Sequence, residues 1–407
     1  MGRLNGGEVL IRMLEHAGIR EFFTLHGGHL DSILMAAREQ GFRITDTRHE
    51  QAAVQAADGW ARTTGRPGVA IVTAGPGVAD AVSGVVNAHV DALPLLLIGG
   101  ASPLSEDERL TLAGGFDQLA LMAPVTKWAH RVPHIDRIPD LVAQALRIAT
   151  TGRPGPVYLE VPIDVAFSQM DEERVFLPKQ IRPEAAPAPP AEAVETVVGW
   201  LQEAERPVIV AGGGAWFSGA ASELVALAEC ARIPVFSTGR AHGLVPADHP
   251  LCGRSSMNLA LLDRSDPGEA DLVLVLGARL GLFTGGKGSR MIPRAARLIQ
   301  VDIAGEEIGR NRDVDLGIAA DCRETLRLLL AAARDLHWPE RPDWISAVRR
   351  ANEALQGMFA QTLAEEKVPI HPYRLADAIV RTADRDAFLV ADGGETSSWM
   401  EMVAQVQ

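Results

Sequence analysis

Apolar residues in this chain come mostly in short unbroken runs, and longer amphipathic stretches separate them. From Glu8 to His16 the spacing puts Val9, Leu10, Met13 and Leu14 on one helical face. Glu21 to Leu25 then reads as a strand, and Asp31 to Glu39 as a helix. Ile44 to Asp46 reads as a second strand that runs straight into a helix ending near Arg62. Val69 to Thr73 and Pro94 to Ile98 are β-rich runs bounded by Gly and Pro, with a Gly/Ala/Val-rich helix between them. Val157 to Pro162 is a further strand. Strands that do not alternate, spaced by helices, predict the α/β class: successive doubly wound domains, each a parallel sheet covered on both faces.

The pattern divides the chain. Residues 1–180 form the first domain, and the Pro/Ala-rich stretch 181–190 cannot pack a core and reads as an extended linker. Residues 191–337 form a second, Rossmann-like domain. It has a helix from Glu192 to Ala204 and strands at Pro207–Ala211, Ile233–Phe236, Leu272–Leu276 and Leu298–Asp302. Trp338-Pro339-Glu340-Arg341-Pro342 marks a second linker, which with a helix from Trp344 to Leu363 occupies residues 338–367. Residues 368–407 open a third α/β unit with a helix from Arg374 to Thr382, a strand from Ala387 to Ala391 and the loop Asp392-Gly393-Gly394-Glu395-Thr396. One strand and two helices do not bury a core, so this unit reads as truncated.

Charge and cysteine usage narrow the class. A net charge of -13 over 407 residues argues against nucleic acid or an anionic membrane surface as partner. No apolar run approaches membrane-spanning length, and the first residues have no apolar signal core, so the expected location is cytoplasmic. Cys230, Cys252 and Cys322 have no metal-type spacing and read as buried thiols in a reducing compartment.

Candidate chemistry gathers at three successive strand ends. Asp46-Thr47-Arg48-His49-Glu50 puts Glu50 in a first helical turn, where the dipole favours negative charge. One unit earlier stands Leu25-His26-Gly27-Gly28-His29, and one unit later Val72-Thr73-Ala74-Gly75-Pro76-Gly77. In an open α/β sheet the ligand crevice lies outside these carboxyl ends. Glu50 as a plain helix cap and His29 as a capping or core histidine are the competing structural readings. Gly212-Gly213-Gly214 lacks the full spaced fingerprint of a dinucleotide turn. Gly277-Ala278-Arg279-Leu280 and Gly285-Gly286-Lys287-Gly288 read either as tight turns, the preferred reading, or as a phosphate loop.

These blocks, with Asp117-Gln118-Leu119-Ala120-Leu121-Met122-Ala123-Pro124-Val125-Thr126-Lys127-Trp128-Ala129-His130-Arg131-Val132, Gly277-Ala278-Arg279-Leu280-Gly281-Leu282 and Val390-Ala391-Asp392-Gly393, carry a resemblance that runs the length of the chain. It resembles the thiamine diphosphate-dependent enzymes of the acetolactate synthase superfamily, and within them most closely the benzaldehyde lyases. The resemblance implies a pyrimidine-binding domain, a central domain and the beginning of a diphosphate-binding domain. It implies thiamine diphosphate and Mg2+ as cofactors, with the Mg2+-binding segment beyond Gln407 and no metal ligand within these residues. The cofactor would lie between the first domain of one subunit and the third of another, in a dimer or homotetramer, so that this stretch alone would bind it poorly.

In the family, the carboxyl at the position of Glu50 hydrogen-bonds a ring nitrogen of the aminopyrimidine. A carboxyl that gives its proton there stabilises the imino form, which abstracts the weakly acidic thiazolium proton; the ylid attacks a carbonyl and the bond is made or broken through an enamine. His29 is similar to the lyases' proton-relay histidine. Thr73 is implied at the pyrimidine edge, and Gly394 and Thr396 at the diphosphate. His26, Gly28, Ala113, Ile163 and Ser397 are implied around the substrate. Where the lyases carry Gln, Trp and Tyr this chain has Ala113, Ile163 and Ser397, and Gly28 replaces Ala. The pocket is therefore expected to be roomier, for 2-hydroxyketones or small aliphatic aldehydes. Alternatives are a decarboxylating acetolactate synthase-type transferase acting on a 2-oxo acid such as pyruvate, a 2-hydroxyacyl-CoA lyase, or an inactive, dimerising remnant. Against the synthase alternative, the Phe-Gln pair common in that group is replaced by Ala113-Gly114; FAD, which synthases often carry on the central domain, is possible but not favoured.

Overall fold

A computed structural model describes residues 2–109, 116–262, 266–281, 284–286, 291–384 and 386–404. Ala113, Gly114, Leu282, Lys287 and Gly288, singled out above, lie outside the described residues. The chain divides into two compact units, Met1–Ala185 and Ala186–Gln407.

The first unit runs β1 (Arg3–Asn5), α1 (Gly6–His16), β2 (Glu21–Leu25), α2 (Asp31–Glu39), β3 (Arg43–Asp46), α3 (Glu50–Thr64), β4 (Gly68–Val72), α4 (Pro76–Asp91), β5 (Leu95–Ala101), α5 (Gln118–Met122), β6 (Trp128–Arg131), α6 (Ile138–Thr150), β7 (Pro156–Pro162), α7 (Ile163–Phe167) and β8 (Gln169–Asp171). Six strands form one sheet in the order β3-β2-β4-β5-β7-β6, every neighbouring pair parallel. The short β1 and β8 pair antiparallel beside it. β4, β5 and β7 are buried along their whole length, which is why their sequence is apolar without alternation. The buried side of α1, with Val9, Leu10, Met13 and Leu14, packs into the core that includes Ile71, Leu96, Ile98, Leu141 and Leu159.

Helices α3 and α4 are set close by small residues. A Cβ on Gly84 would stand 2.8 Å from Val54 Cβ, closer than real side chains approach. Arg62 reaches both Asp58 on its own helix and Asp91 on α4, while Asn87 donates to Asp58 at 2.9 Å. The two helices are thus held along their length, which fixes where α3 begins relative to the α4 turn.

The second unit runs α8 (Ala191–Glu203), β9 (Pro207–Ala211), α9 (Gly213–Phe217), α10 (Ala221–Ala231), β10 (Val235–Ser237), β11 (Cys252–Ser255), α11 (Leu259–Leu262), β12 (Leu272–Leu276), β13 (Arg297–Asp302), β14 (Leu316–Ala319), α12 (Cys322–Ala333), α13 (Pro342–Met358), α14 (Ala360–Ala364), α15 (Pro372–Thr382) and α16 (Glu395–Val403). Its parallel sheet has the order β11-β10-β9-β12-β13-β14. The Gly212–Gly214 turn lies directly against Gly277: Gly214 N–H donates to Gly277 O at 2.9 Å, and a Cβ on Gly214 would come within 2.7 Å of Gly277 Cα. Close approach of two backbones accounts for these glycines. A cavity of about 420 Å3 in this unit is lined by Thr238, His242, Arg254, Asn258 and Glu401, among others, and by neither glycine turn.

Several expectations change. Ala387–Ala391 forms no strand; Phe388 and Val390 are 93% and 94% exposed, because among the described residues no sheet edge pairs with them. The helix expected over Trp344–Leu363 is two helices, α13 and α14, broken at Phe359. Trp338 and Arg341, in the second expected linker, are buried in this unit. Of the three free thiols only Cys322 is buried, and Cys230 and Cys252 are half-buried. No helix among the described residues is long and apolar enough to cross a membrane.

Candidate active site

The sheet of the first unit reverses direction between β2 and β4: β3 adds on one side of β2, and the chain then returns to lay β4 on the other. Strand ends part at such a point and leave a crevice. The two turns that meet there are both glycine-rich. The β2 turn passes through Gly27 and a single 3-10 turn, Gly28–Leu30, into α2. The β4 turn passes through Thr73, Ala74 and Gly75 into α4, whose first residue is Pro76. Gly75 has φ +68° and ψ -116°, a conformation that side chains disfavour. Any Cβ on Gly27 would overlap the Thr73 side chain, so glycine there is what lets the turns touch.

Glu50 is the first residue of α3, but it is not the cap. His49 does that, its Nδ1 accepting from the Gln51 N–H at 3.2 Å. Glu50 is left 8% exposed, with no side-chain hydrogen bond or ion pair among the described residues. Its carboxylate rests by the α4 turn, where a Cβ added to Gly77 would come 3.2 Å from Oε1. The side chain is mostly covered, but its carboxylate oxygens keep access to solvent and stand open for a ligand to meet. Asp80, one turn into α4, brings an exposed carboxylate to within 4.8 Å of Glu50 and His49 ligand atoms. That set mixes an imidazole with two carboxylates and is not the all-oxygen cradle Mg2+ prefers, so no step below runs through Mg2+.

His29 is 9% exposed. Its Nδ1 lies 3.2 Å from Thr73 Oγ1, while its Nε2 is buried with no partner. Burial lowers its pKa from the usual 6.5, which favours the neutral ring. Behind its Cβ stands Gly100, where any side chain would press on the imidazole. Space is open over Gly28: a Cβ there meets nothing within 4 Å.

The structure therefore brings Glu50, Thr73 and His29 together at these two turns, and Gly28, next to His29, is exposed. His26 does not join them; it is exposed and paired with Asp31 at 2.8 Å. Ile163 is half-buried at the start of α7, just past the carboxyl end of β7. Gly394, Thr396 and Ser397 belong to the second unit. There Gly394 precedes α16 with φ +75°, Thr396 is exposed, and the Ser397 hydroxyl donates to Gly394 O at 3.0 Å.

Sequence reading gave no role to a buried polar group beneath the β4 turn. Gly75 N–H donates to Gln118 Oε1 at 2.6 Å, and Gln118 Nε2 donates to Glu160 Oε1 at 2.6 Å and to Gly100 O at 3.1 Å. Glu160 also accepts from Arg131 Nε at 2.5 Å, and Tyr158 OH lies 3.3 Å from Gln118 Nε2. A Glu two residues after a Tyr, in the middle of an apolar strand, was the available signal.

Comparison with known proteins bears on this geometry. Residues 4–121 match the N-terminal thiamine pyrophosphate-binding domain of thiamine pyrophosphate enzymes, and residues 194–329 match the central domain of the same enzymes. A probable acetolactate synthase of Mycobacterium bovis is 33% identical over 397 residues, which cover 97% of this chain and 70% of that protein. A probable acetolactate synthase large subunit of Methanocaldococcus jannaschii is 31% identical, covering 98% of this chain and 68% of its own length. A 2-hydroxyacyl-CoA lyase 2 of Caenorhabditis elegans is 31% identical, with 96% and 66% covered.

Proposed function

Since the chain belongs to the thiamine pyrophosphate-dependent enzymes of the acetolactate synthase and 2-hydroxyacyl-CoA lyase family, we propose that it is a carbon–carbon lyase and ligase of 2-hydroxyketones. The bond concerned joins the carbonyl carbon to the hydroxyl-bearing carbon. One observation carries this reading: a buried imidazole with Nδ1 3.2 Å from Thr73 Oγ1 and Nε2 left without a partner.

The residues fit the family's cofactor. An unpartnered carboxyl that keeps access to solvent and an orphaned imidazole nitrogen, both set at the glycine-rich turns, are what a polar aromatic heterocycle and a small substrate need. When bound, thiamine diphosphate supplies the carbon nucleophile and the electron sink. Glu50 would hold its aminopyrimidine by a hydrogen bond to a ring nitrogen, with Thr73 along the ring edge. His29 Nε2 takes the proton from the substrate hydroxyl as the carbon–carbon bond opens, and returns it in the reverse direction. Thr73 keeps the ring oriented for that transfer. Gly394 and Thr396 are proposed for the diphosphate, with Mg2+ as its counter-ion. His26, Gly28, Ala113, Ile163 and Ser397 are proposed around the substrate. The small size of most of these favours aliphatic acyloins over the benzoin of the benzaldehyde lyases. Self-association as a dimer or tetramer and a cytoplasmic location complete the proposal.

The test is turnover with thiamine diphosphate and Mg2+ on an acetoin-type acyloin, benzoin, pyruvate and a 2-hydroxyacyl-CoA, with an absorbance spectrum for flavin. Acyloin cleavage ahead of the others and no flavin band are expected. Turnover of pyruvate or of the thioester alone would overturn the proposal. Glu50→Gln is expected to lower kcat by about 100-fold or more; unchanged turnover would remove Glu50 from the mechanism.

A further inference from the structure

We propose that Gln118 is a positioning residue that sets both sides of the crevice through the Gly75 turn, an inference that rests on the proposed roles of Glu50 and His29. The turn from Thr73 to Gly77 is where the two meet: Thr73 holds the His29 ring, and Gly77 lies against the Glu50 carboxylate. Gly75, at φ +68° and with no side chain, is the turn's most permissive point.

The constraint comes from beneath. Gly75 is buried, so its N–H needs an acceptor, and Gln118 Oε1 supplies it at 2.6 Å. The amide is held in this sense because the two nearest groups at its other end are acceptors that demand a donor, with the Tyr158 hydroxyl, which can also accept, farther off at 3.3 Å. The two acceptors are the Glu160 carboxylate at 2.6 Å and the Gly100 carbonyl at 3.1 Å. Glu160, 1% exposed, is held in turn by Arg131 Nε at 2.5 Å. Gly100 also stands directly behind His29. One side chain thus ties the β4 turn, β5 and β7 together at the point where the imidazole and the carboxylate are placed. Gln118 touches neither of them, and acts only through the backbone. A buried polar network with every partner supplied favours one arrangement of the groups it joins.

The polarity of the chain of bonds gives a reciprocal test. Gln118→Met keeps the volume but leaves the Gly75 N–H without an acceptor, and Gln118→Glu sets two carboxylates against each other. The double exchange Gln118→Glu with Glu160→Gln restores the bonds to Gly75, to position 160 and to Arg131, and loses only the donor to the Gly100 carbonyl. The carboxylate moved to position 118 would accept from Gly75 and from the amide moved to position 160, whose oxygen would accept from Arg131. Two readouts serve: the imidazole titration of His29 followed by NMR in the cofactor-free protein, and kcat against KM with thiamine diphosphate and Mg2+. The single variants are expected to move the His29 titration and to lower kcat at least tenfold with KM changed less than threefold. The double exchange is expected to bring both back toward the parent, short of the share that the Gly100 bond carries. If melting falls while His29 titrates as in the parent and kcat holds, Gln118 is a packing residue and the proposal is overturned. Failure of the double exchange to bring either readout back toward the parent overturns it too. If the parent turns over none of the acyloins but its His29 titration still follows Gln118, positioning stands and the proposed reaction falls.

Discussion

Glu50 and His29 face the same crevice, but their burial is compensated differently, and glycine substitutions around them separate the two. A methyl at Gly77 would come 2.8 Å from Thr73 Cγ2 and 3.2 Å from Glu50 Oε1, so Gly77→Ala must displace one or both. Gly28→Ala adds its methyl to open space. The expected outcome is at least tenfold weaker thiamine diphosphate binding by calorimetry for Gly77→Ala, and less than threefold for Gly28→Ala. Equal effects would mean that Glu50 does not meet the cofactor. His29 has a pH consequence whose sign follows from burial. Its pKa is lower in the folded chain than the ordinary 6.5, so between those two values the unfolded chain binds more protons. Its contribution to stability is therefore complete above about 6.5 and is lost as pH falls toward the folded pKa. Denaturant unfolding of the parent and of His29→Gln at about pH 5 and about pH 7 should give a smaller loss on acidification in the variant.

The interior strands β2, β4, β5, β7, β9, β12 and β13 were legible in the sequence because they are mostly apolar runs, paired on both sides. Of the edge strands, β3 was legible from its run straight into α3, but β6, β11 and β14 were not, since they are only partly covered: β6 carries the exposed His130, and β14 alternates Leu316, Gly317 and Ile318. The converse failure is Ala387–Ala391, apolar in sequence yet without a strand to pair with. Site residues behave likewise. Glu50, His29 and Thr73 could be read because each follows its own strand, whereas Gln118 meets Gly75 across 43 residues of sequence, a contact only the sheet order creates. The same non-local logic holds Arg341. It donates to Ala204 O at 3.0 Å and Leu201 O at 2.7 Å at the end of α8, and to Ala231 O at 2.9 Å at the end of α10. A cation against two helix C-termini meets the favourable end of both dipoles. Arg341→Met keeps the aliphatic packing and leaves those carbonyls without their donor, a loss of about 2–3 kcal/mol expected in the denaturant midpoint of the second unit. No shift would mean that water replaces the guanidinium.

At the scale of the molecule, each unit carries a core of its own. The first core draws on residues from Leu4 to Met170 and the second on residues from Val194 to Ala351, with no buried member shared. Between them runs the exposed stretch Arg182–Ala188, rich in Pro and Ala and without helix or strand. Its chemistry makes the prediction specific. Trypsin cuts poorly at Arg182 because Pro183 follows, but a Glu-specific protease meets Glu184 followed by Ala185 in the open. Brief digestion is expected to give two stable fragments meeting at that bond. A thiol reagent should label only the larger, since Cys230, Cys252 and Cys322 all lie beyond it. The smaller fragment holds β1 to β8 with Glu50, His29, Thr73, Gln118 and Glu160, so its His29 should titrate as in the intact chain. If instead the smaller fragment is digested further as fast as it forms, the first core does not stand alone, and the crevice depends on residues past the linker.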